Sequence, residues 1–272
     1  MMKSNEQVIS QAIADFDAIE KSIVECGVEV PKGTDTCEYP DKIKEIYNAG
    51  ENAGKQAAYD EFWDLYQDNG NRVDYERMFS GDGWEEKTFK PKYSIQPTNA
   101  NAMFSHSNIT DLQALLDECG ITVDFSKVTY NRLTQPFMAS VITRVGTIDL
   151  SSLTNATYVF YQAMSLETIE KLIFAETNVF VSNWFQSCSA LANINEVEGV
   201  ISNSISFNWS PLTPTSMKNI IACLKNYAET DKANTYTVKF TDACWTALEA
   251  DSTAPDGKPW KEYVEYSLGW NT

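Results

Sequence analysis

Histidine is nearly missing from this chain: there is one, His106, in 272 residues. Cysteine is sparse and scattered, at Cys26, Cys37, Cys119, Cys188, Cys223 and Cys244, with no CxxC pair. A structural zinc site needs four nitrogen or sulfur ligands at short spacings, so neither a metal nor any other cofactor is expected. The thiols are expected to be reduced and to act as small buried hydrophobes, a disulfide framework being the alternative. Positive charge is also short, with 21 Lys and Arg against 38 Asp and Glu, a net charge of −17. Such a field repels phosphate backbones and anionic bilayers, which speaks against nucleic-acid partners and favours simple solubility. No stretch approaches the ~18 apolar residues of a spanning helix, so no membrane insertion is expected. The opening residues, "MMKSNEQVISQAIADF", hold one lysine and no apolar core, so no secretory leader is expected.

Apolar material is present in quantity: 43% of residues are hydrophobic and 12% aromatic. That excludes wholesale disorder and fits one large or two modest domains. Ile9, Ile13, Phe16, Ile19 and Ile23 form a stripe at helical spacing over Asn5 to Cys26, with Ser4 and Gln7 placed as a capping box. A second helix is predicted from Asp41 to about Asp68. Its Gly50 and Gly54 admit two readings, a close helix approach or a break into two helices. Residues 1–70 are therefore expected to form a helical attachment or self-association region, making the chain a homo-oligomer. Residues 71–102, rich in Gly, Pro and aromatics, read as a packed linker.

From residue 103 the sequence repeats itself. Phe104 is followed by Ile109, Leu112 and Leu115, and Phe137 by Ile142, Val145 and Ile148, at offsets of 5, 8 and 11. Phe160 is followed by Leu166, Ile169 and Leu172, and Phe185 by Leu191, Ile194 and Val197, at offsets of 6, 9 and 12. Phe207 keeps only Leu212. "VDFS" at 123, "IDLS" at 148 and "LIFA" at 172 give a second register about 25 residues apart. A period in the mid-twenties suits one strand plus one return, a unit that buries its apolar face only by stacking on its neighbours. The fold class expected is α+β: N-terminal helices, a leucine-rich-repeat solenoid over 103–212, and an α/β C-terminal cap over 213–272. The cap is announced by Thr213 and Pro214 as N-cap and first helical residue, and by Thr241 before another short helix.

"FQSCSALANI" carries Phe185, Cys188, Leu191 and Ile194 in the pattern Phe-x2-Cys-x2-Leu-x2-Ile. It resembles the BspA-like leucine-rich repeats of bacterial surface proteins. "FYQAMSLETI" resembles them too, with Ala163 in the cysteine place, while the Phe104 and Phe137 units fit with one residue deleted. The resemblance covers about residues 103–215. It implies a solenoid that binds partners or stacks in assemblies, and no catalytic residues. The flanks, "YNAGENAGKQAAYDEFWDLYQDNGNRVDYERMFSGDGWEEKTFKPKY" and "SMKNIIACLKNYA", resemble repeat proteins carried by phages and prophages of gut Firmicutes.

Candidate sites are few. His106 has no nucleophile motif around it, paired carboxylates such as Asp82, Glu85 and Glu86 are plentiful in so acidic a chain, and "DNGN" and "SGDG" read as turns because calcium-loop spacing fails. Trp184 and Trp209 flank the repeat phenylalanines rather than occupying their positions, and Tyr158, Tyr161 and Tyr130 sit in comparable regions of the coils. Exposed, they would stack on sugars or anchor a protein; otherwise they are packing between coils. The expectation is a non-enzymatic virion component such as a tail fibre, with virion or self contacts through the helices and a host-surface protein or glycan as ligand. A bacterial surface adhesin is the alternative. A depolymerase would need clustered carboxylates in a cleft.

Overall fold

The computed structural model describes residue 21 and residues 54–129, 132–153, 157–175 and 183–272. The stripe Ile9–Ile23, the Gly50 question, Cys26, Cys37 and Tyr130 lie outside the described residues. Within them the protein has both helices and strands, and its sheets are parallel.

Helix α1 covers Gly54–Tyr66. It ends where Asp68 and Asn69 both turn left-handed, at φ 50° and 49°. Helix α2, Leu112–Cys119, starts on the Asp111 carboxylate, which accepts from the Ala114 N–H. It stops at Gly120, whose φ of 68° suits a residue without Cβ. Strands β1 (Arg144–Leu150), β2 (Thr168–Phe174) and β3 (Asn193–Glu198) form one parallel sheet in sequence order. β4 (Ile205–Ser206) and β5 (Val238–Lys239) form a second, smaller one. Helices α3 (Pro214–Ala222), α4 (Asp242–Asp251) and α5 (Trp260–Glu262) complete the chain. Thr213 and Thr241 cap α3 and α4 with their side chains, as the sequence predicts.

The sheet register explains the repeat. Arg144 pairs with Thr168, and Thr168 with Asn193, so each strand lies beside the chain 24 or 25 residues further on. Val145, Ile169 and Ile194 share one inward row. Ile148, Leu172 and Val197 share the next, with Val197 only half-buried. A regular strand would put every second residue inward. Here two residues intervene, and the ladder passes over Gly146, Glu170 and Asn195 in all three strands. A shared extra residue makes a three-residue apolar spacing compatible with a strand. In the preceding unit the same offsets fall on α2, where Leu112, Leu115 and Leu116 face the core at helical spacing.

The phenylalanines form a single column. Phe79, Phe104, Phe137, Phe160, Phe185, Phe207 and Phe240 stack ring on ring, with successive centroids 4.5–5.6 Å apart and planes within 25° of parallel. The middle five are the repeat phenylalanines predicted from their spacing; Phe79 and Phe240 extend the column at its two ends. Both ends are covered by indoles set edge-on: Trp84 on Phe79 and Trp245 on Phe240.

Packing crosses the boundary expected at residue 70. Phe62, Trp63 and Tyr66 of α1 are buried with Phe79, Trp84 and Phe89 in the same apolar core that runs on to Trp270. The Tyr66 hydroxyl also donates to the Met78 carbonyl at 2.7 Å. The described end of the expected attachment region is thus a cap on this chain's own core, and residues 71–102 are part of that core rather than a link between units. The reason is the aromatic content of 62–89, which has more ring surface to bury than a linker could hide.

The free edge of β3 is closed by side chains rather than by another strand. Ser216, Asn219 and Cys223 lie along one side of α3 and its C-cap. The Ser216 hydroxyl donates to Ala192 O and accepts from Ile194 N; Asn219 Nδ2 donates to Ile194 O and Asn195 O; Cys223 Sγ donates to Val197 O. An exposed edge would offer these groups to another chain.

Candidate contact surface

Two sides of the stacked units differ in chemistry. The outward side of the strands is charged and paired from rung to rung. Arg144 Nε donates to Glu170 Oε1 at 2.6 Å, and Asn195 Nδ2 donates to the other oxygen at 2.6 Å. Lys171 reaches Glu196 at 3.3 Å and also Glu198. The Arg144 guanidinium, helped by Asn195, holds the Glu170 carboxyl below its ordinary range, and Glu170 raises Arg144 in return. Arg144, Glu170 and Lys171 are part-exposed and Glu196 and Glu198 exposed, so solvent screens these pairs.

The turns that carry the phenylalanines are built differently. The residues two before and two after the ring are left-handed in unit after unit: Arg77 and Gly81, Ala102 and His106, Gln135 and Ala139, Tyr158 and Gln162, Asn183 and Ser187. Left-handed backbone costs about 1–2 kcal/mol for a non-glycine residue, so something must hold it. That something is a ladder of main-chain bonds. Ala102, Phe104 and His106 N–H groups donate to Thr134, Pro136 and Met138 carbonyls in the next turn, at 2.7–2.9 Å. Gln135, Phe137 and Ala139 do the same to Thr157, Val159 and Tyr161, and Phe160 and Gln162 to Trp184 and Gln186. The N–H groups between them close local turns, as Met103 to Ala100 and Ser105 to Ala102. The turn edge is therefore a rigid frame for its side chains.

The structure places the aromatic candidates in three situations. Trp184 is 1% exposed, stacked on Phe174 at 5.9 Å and set against Phe185. It is core, and the expectation that it meets a ligand is corrected: a tryptophan directly before the inward phenylalanine is drawn into the same apolar layer. Tyr158 and Tyr161 are half-buried and face each other edge to face at 5.2 Å. Trp209 stands 52% exposed. It follows Phe207 at the offset that Gln162 and Ser187 have from their own phenylalanines. The repeat residues Phe104, Phe137, Phe160, Phe185, Leu166, Leu191, Ile169 and Ile194 are all buried.

His106 is exposed, with Nδ1 2.8 Å from the neighbouring Ser105 hydroxyl, which also lies 3.3 Å from the Met138 carbonyl. Among the described residues no group of three His, Cys, Asp or Glu side chains is placed to hold a metal ion, and no helix is long and apolar enough to cross a membrane. Cys119, Cys188, Cys223 and Cys244 are free thiols. Burial pushes the Cys188 thiol up to about 12, and its Sγ lies 3.0 Å from the Phe160 carbonyl.

This edge also differs from the strands in charge. The turns at 133–143, 157–166, 183–192 and 207–213 contain no Asp, Glu, Lys or Arg, and the one at 98–110 carries only His106. The signal was available in the sequence, but charge summed over the whole chain hides its distribution. No protein-family model matches the chain, and no curated protein and no solved structure matches it either.

Proposed function

We propose that this protein is a non-enzymatic binding and structural component built on a short leucine-rich-repeat solenoid of the BspA-like kind, and that it serves as a host-contact part of a virion. The column of seven stacked phenylalanines, one per turn, carries this reading. A chain that brings each unit beside the last through parallel main-chain bonds spends its core on holding a long rigid face in place. Support also comes from the two ends. Trp84 and Trp245 cover the column, which disfavours end-to-end stacking and leaves the lateral surfaces for partners. Attachment would fall to the residues before Gly54, where Ile9, Ile13, Phe16, Ile19 and Ile23 recur at the spacing of one helix face.

The rival reading, a bacterial surface adhesin with the same module, differs in location rather than in physics. An antibody against residues 54–272 separates the two. Particles purified from an induced culture of the source organism should carry the chain if it is a virion part, and the cell envelope should carry it if it is an adhesin. Recovery only from the soluble cell contents would overturn both.

A further inference from the structure

Stacked turns bring equivalent residues within about 5 Å of one another. Like charges in one column would repel, and that alone would empty a column of charge. The strand side of the same units excludes this explanation. There Asp111, Arg144 and Glu170 follow one another across neighbouring rungs, with 4.0 Å and 2.6 Å between successive partners, and Lys171 meets Glu196. Stacking in this chain tolerates charge when signs alternate. Yet the five middle turns hold no Asp, Glu, Lys or Arg, while the turns at each end do: Asp74, Glu76, Arg77 and Asp82 at the first, Lys239 and Asp242 at the last. In a chain of net charge −17 these turns are uncharged, whereas the strands beside them carry Arg144, Asp149, Glu170, Lys171, Glu196 and Glu198.

That edge presents amides and rings instead. Gln162 is exposed and Gln186, one rung on, half-buried, and the Gln162 N–H donates to the Gln186 carbonyl at 2.9 Å. Tyr158 and Tyr161 flank Gln162's turn, and Asn208 and Trp209 are exposed one rung beyond Gln186. Two rungs separate Tyr161 from Trp209, on the order of 10 Å at the spacing of parallel rungs. That length suits two sugar rings. Primary amides donate and accept at once, as a hydroxyl-rich ligand requires. Aromatic faces offer an apolar surface with a polar tip. A protein partner for so acidic a chain is expected to use charge complementarity, and these turns carry no Asp, Glu, Lys or Arg to meet it.

We infer that the uncharged turn edge is a binding face for a neutral polysaccharide, with Trp209 and Tyr161 as stacking residues and Gln162 and Gln186 as hydrogen-bonding residues. The inference rests on the binding-protein reading above and specifies its ligand class and its surface.

Affinity electrophoresis of the full chain through gels containing neutral glucan, mannan or galactan, with hyaluronan as the charged comparison, tests it. At least one neutral polysaccharide should retard the chain, and hyaluronan should not. Trp209→Ala and Tyr161→Ala should each weaken retardation at least ten-fold, and Glu170→Gln on the strand side should leave it unchanged. Melting curves of the three variants check that each is folded. Retardation by none of the neutral polysaccharides, or retardation that survives both aromatic substitutions, overturns the inference. Retention on deglycosylated serum proteins, with none on the polysaccharides, also overturns it. That result would make the edge a protein-docking surface and leave the binding-protein reading standing, whereas absence from both particles and envelope removes that reading itself.

Discussion

Phe160→Ala removes a ring from the middle of the column. The ring is fully buried, 5.2 Å from Phe137 and 5.5 Å from Phe185, nearly parallel to both. Truncating a buried phenylalanine costs about 3–5 kcal/mol, the spread depending on how far the site collapses. Here collapse is opposed from both sides. The Phe137 N–H donates to Val159 O, and the Phe160 N–H to Trp184 O, each at 3.1 Å, so the rungs cannot close without breaking the ladder. Two ring contacts are lost as well, worth about 0.5–1.5 kcal/mol each beyond area. The expected loss is therefore in the upper half, about 4–5 kcal/mol. That is a large share of the ~5–15 kcal/mol by which domains are stable. Should Phe160→Ala not fold, Phe160→Leu fills most of the space and should cost below about 2 kcal/mol. Urea denaturation followed by tryptophan fluorescence measures both, with an unchanged m-value as the condition for comparison. A loss below about 1.5 kcal/mol for Phe160→Ala, or an equal loss for the half-buried Tyr161→Ala, would refute the claim that the column carries the core.

Asn219→Leu strips the donor that serves Ile194 O and Asn195 O at the edge of β3; it should cost about 1–3 kcal/mol and raise aggregation on heating, read by light scattering. A fragment starting at residue 71, without Phe62, Trp63 and Tyr66, should melt lower than one starting at 54, or aggregate; equal melting of the two would show that α1 is no cap. Ala139→Gly relieves a left-handed residue at φ 50°, and should stabilise by about 0.5–1 kcal/mol in the same urea assay once glycine's entropy is set against the strain. Thiol titration in denaturant should find all six cysteines, with Cys188 unreactive in the native state. Its folded value of about 12 lies above the ordinary 9.0, so the unfolded chain loses that proton first; the stability it lends is whole below pH 9 and declines from there towards 12, visible as a falling urea midpoint.

Much of this architecture is written locally. The spacing of Phe104, Phe137, Phe160, Phe185 and Phe207 sets which rings meet, because a stacked chain must return to the same place once per unit. Thr213, Pro214 and Thr241 mark helix starts because capping is satisfied within four residues. What depends on distant contacts was decided elsewhere. Offsets of 5, 8 and 11 give a helix after Phe104 and a strand after Phe137, since that spacing suits a helical face and also a strand with one shared extra residue. Trp184 looked like Trp209 from its place beside a phenylalanine. Phe174 covers the one, while the other stands exposed. Phe79 and Phe240 joined the column, and α1 became its cap, only because indoles from 63, 84 and 245 lay close enough to seal its ends. The sequence by itself determined the period and the apolar rows, which are properties of spacing. The tertiary structure decided which side each neutral or charged turn faces, which is a property of register between turns 22 to 33 residues apart.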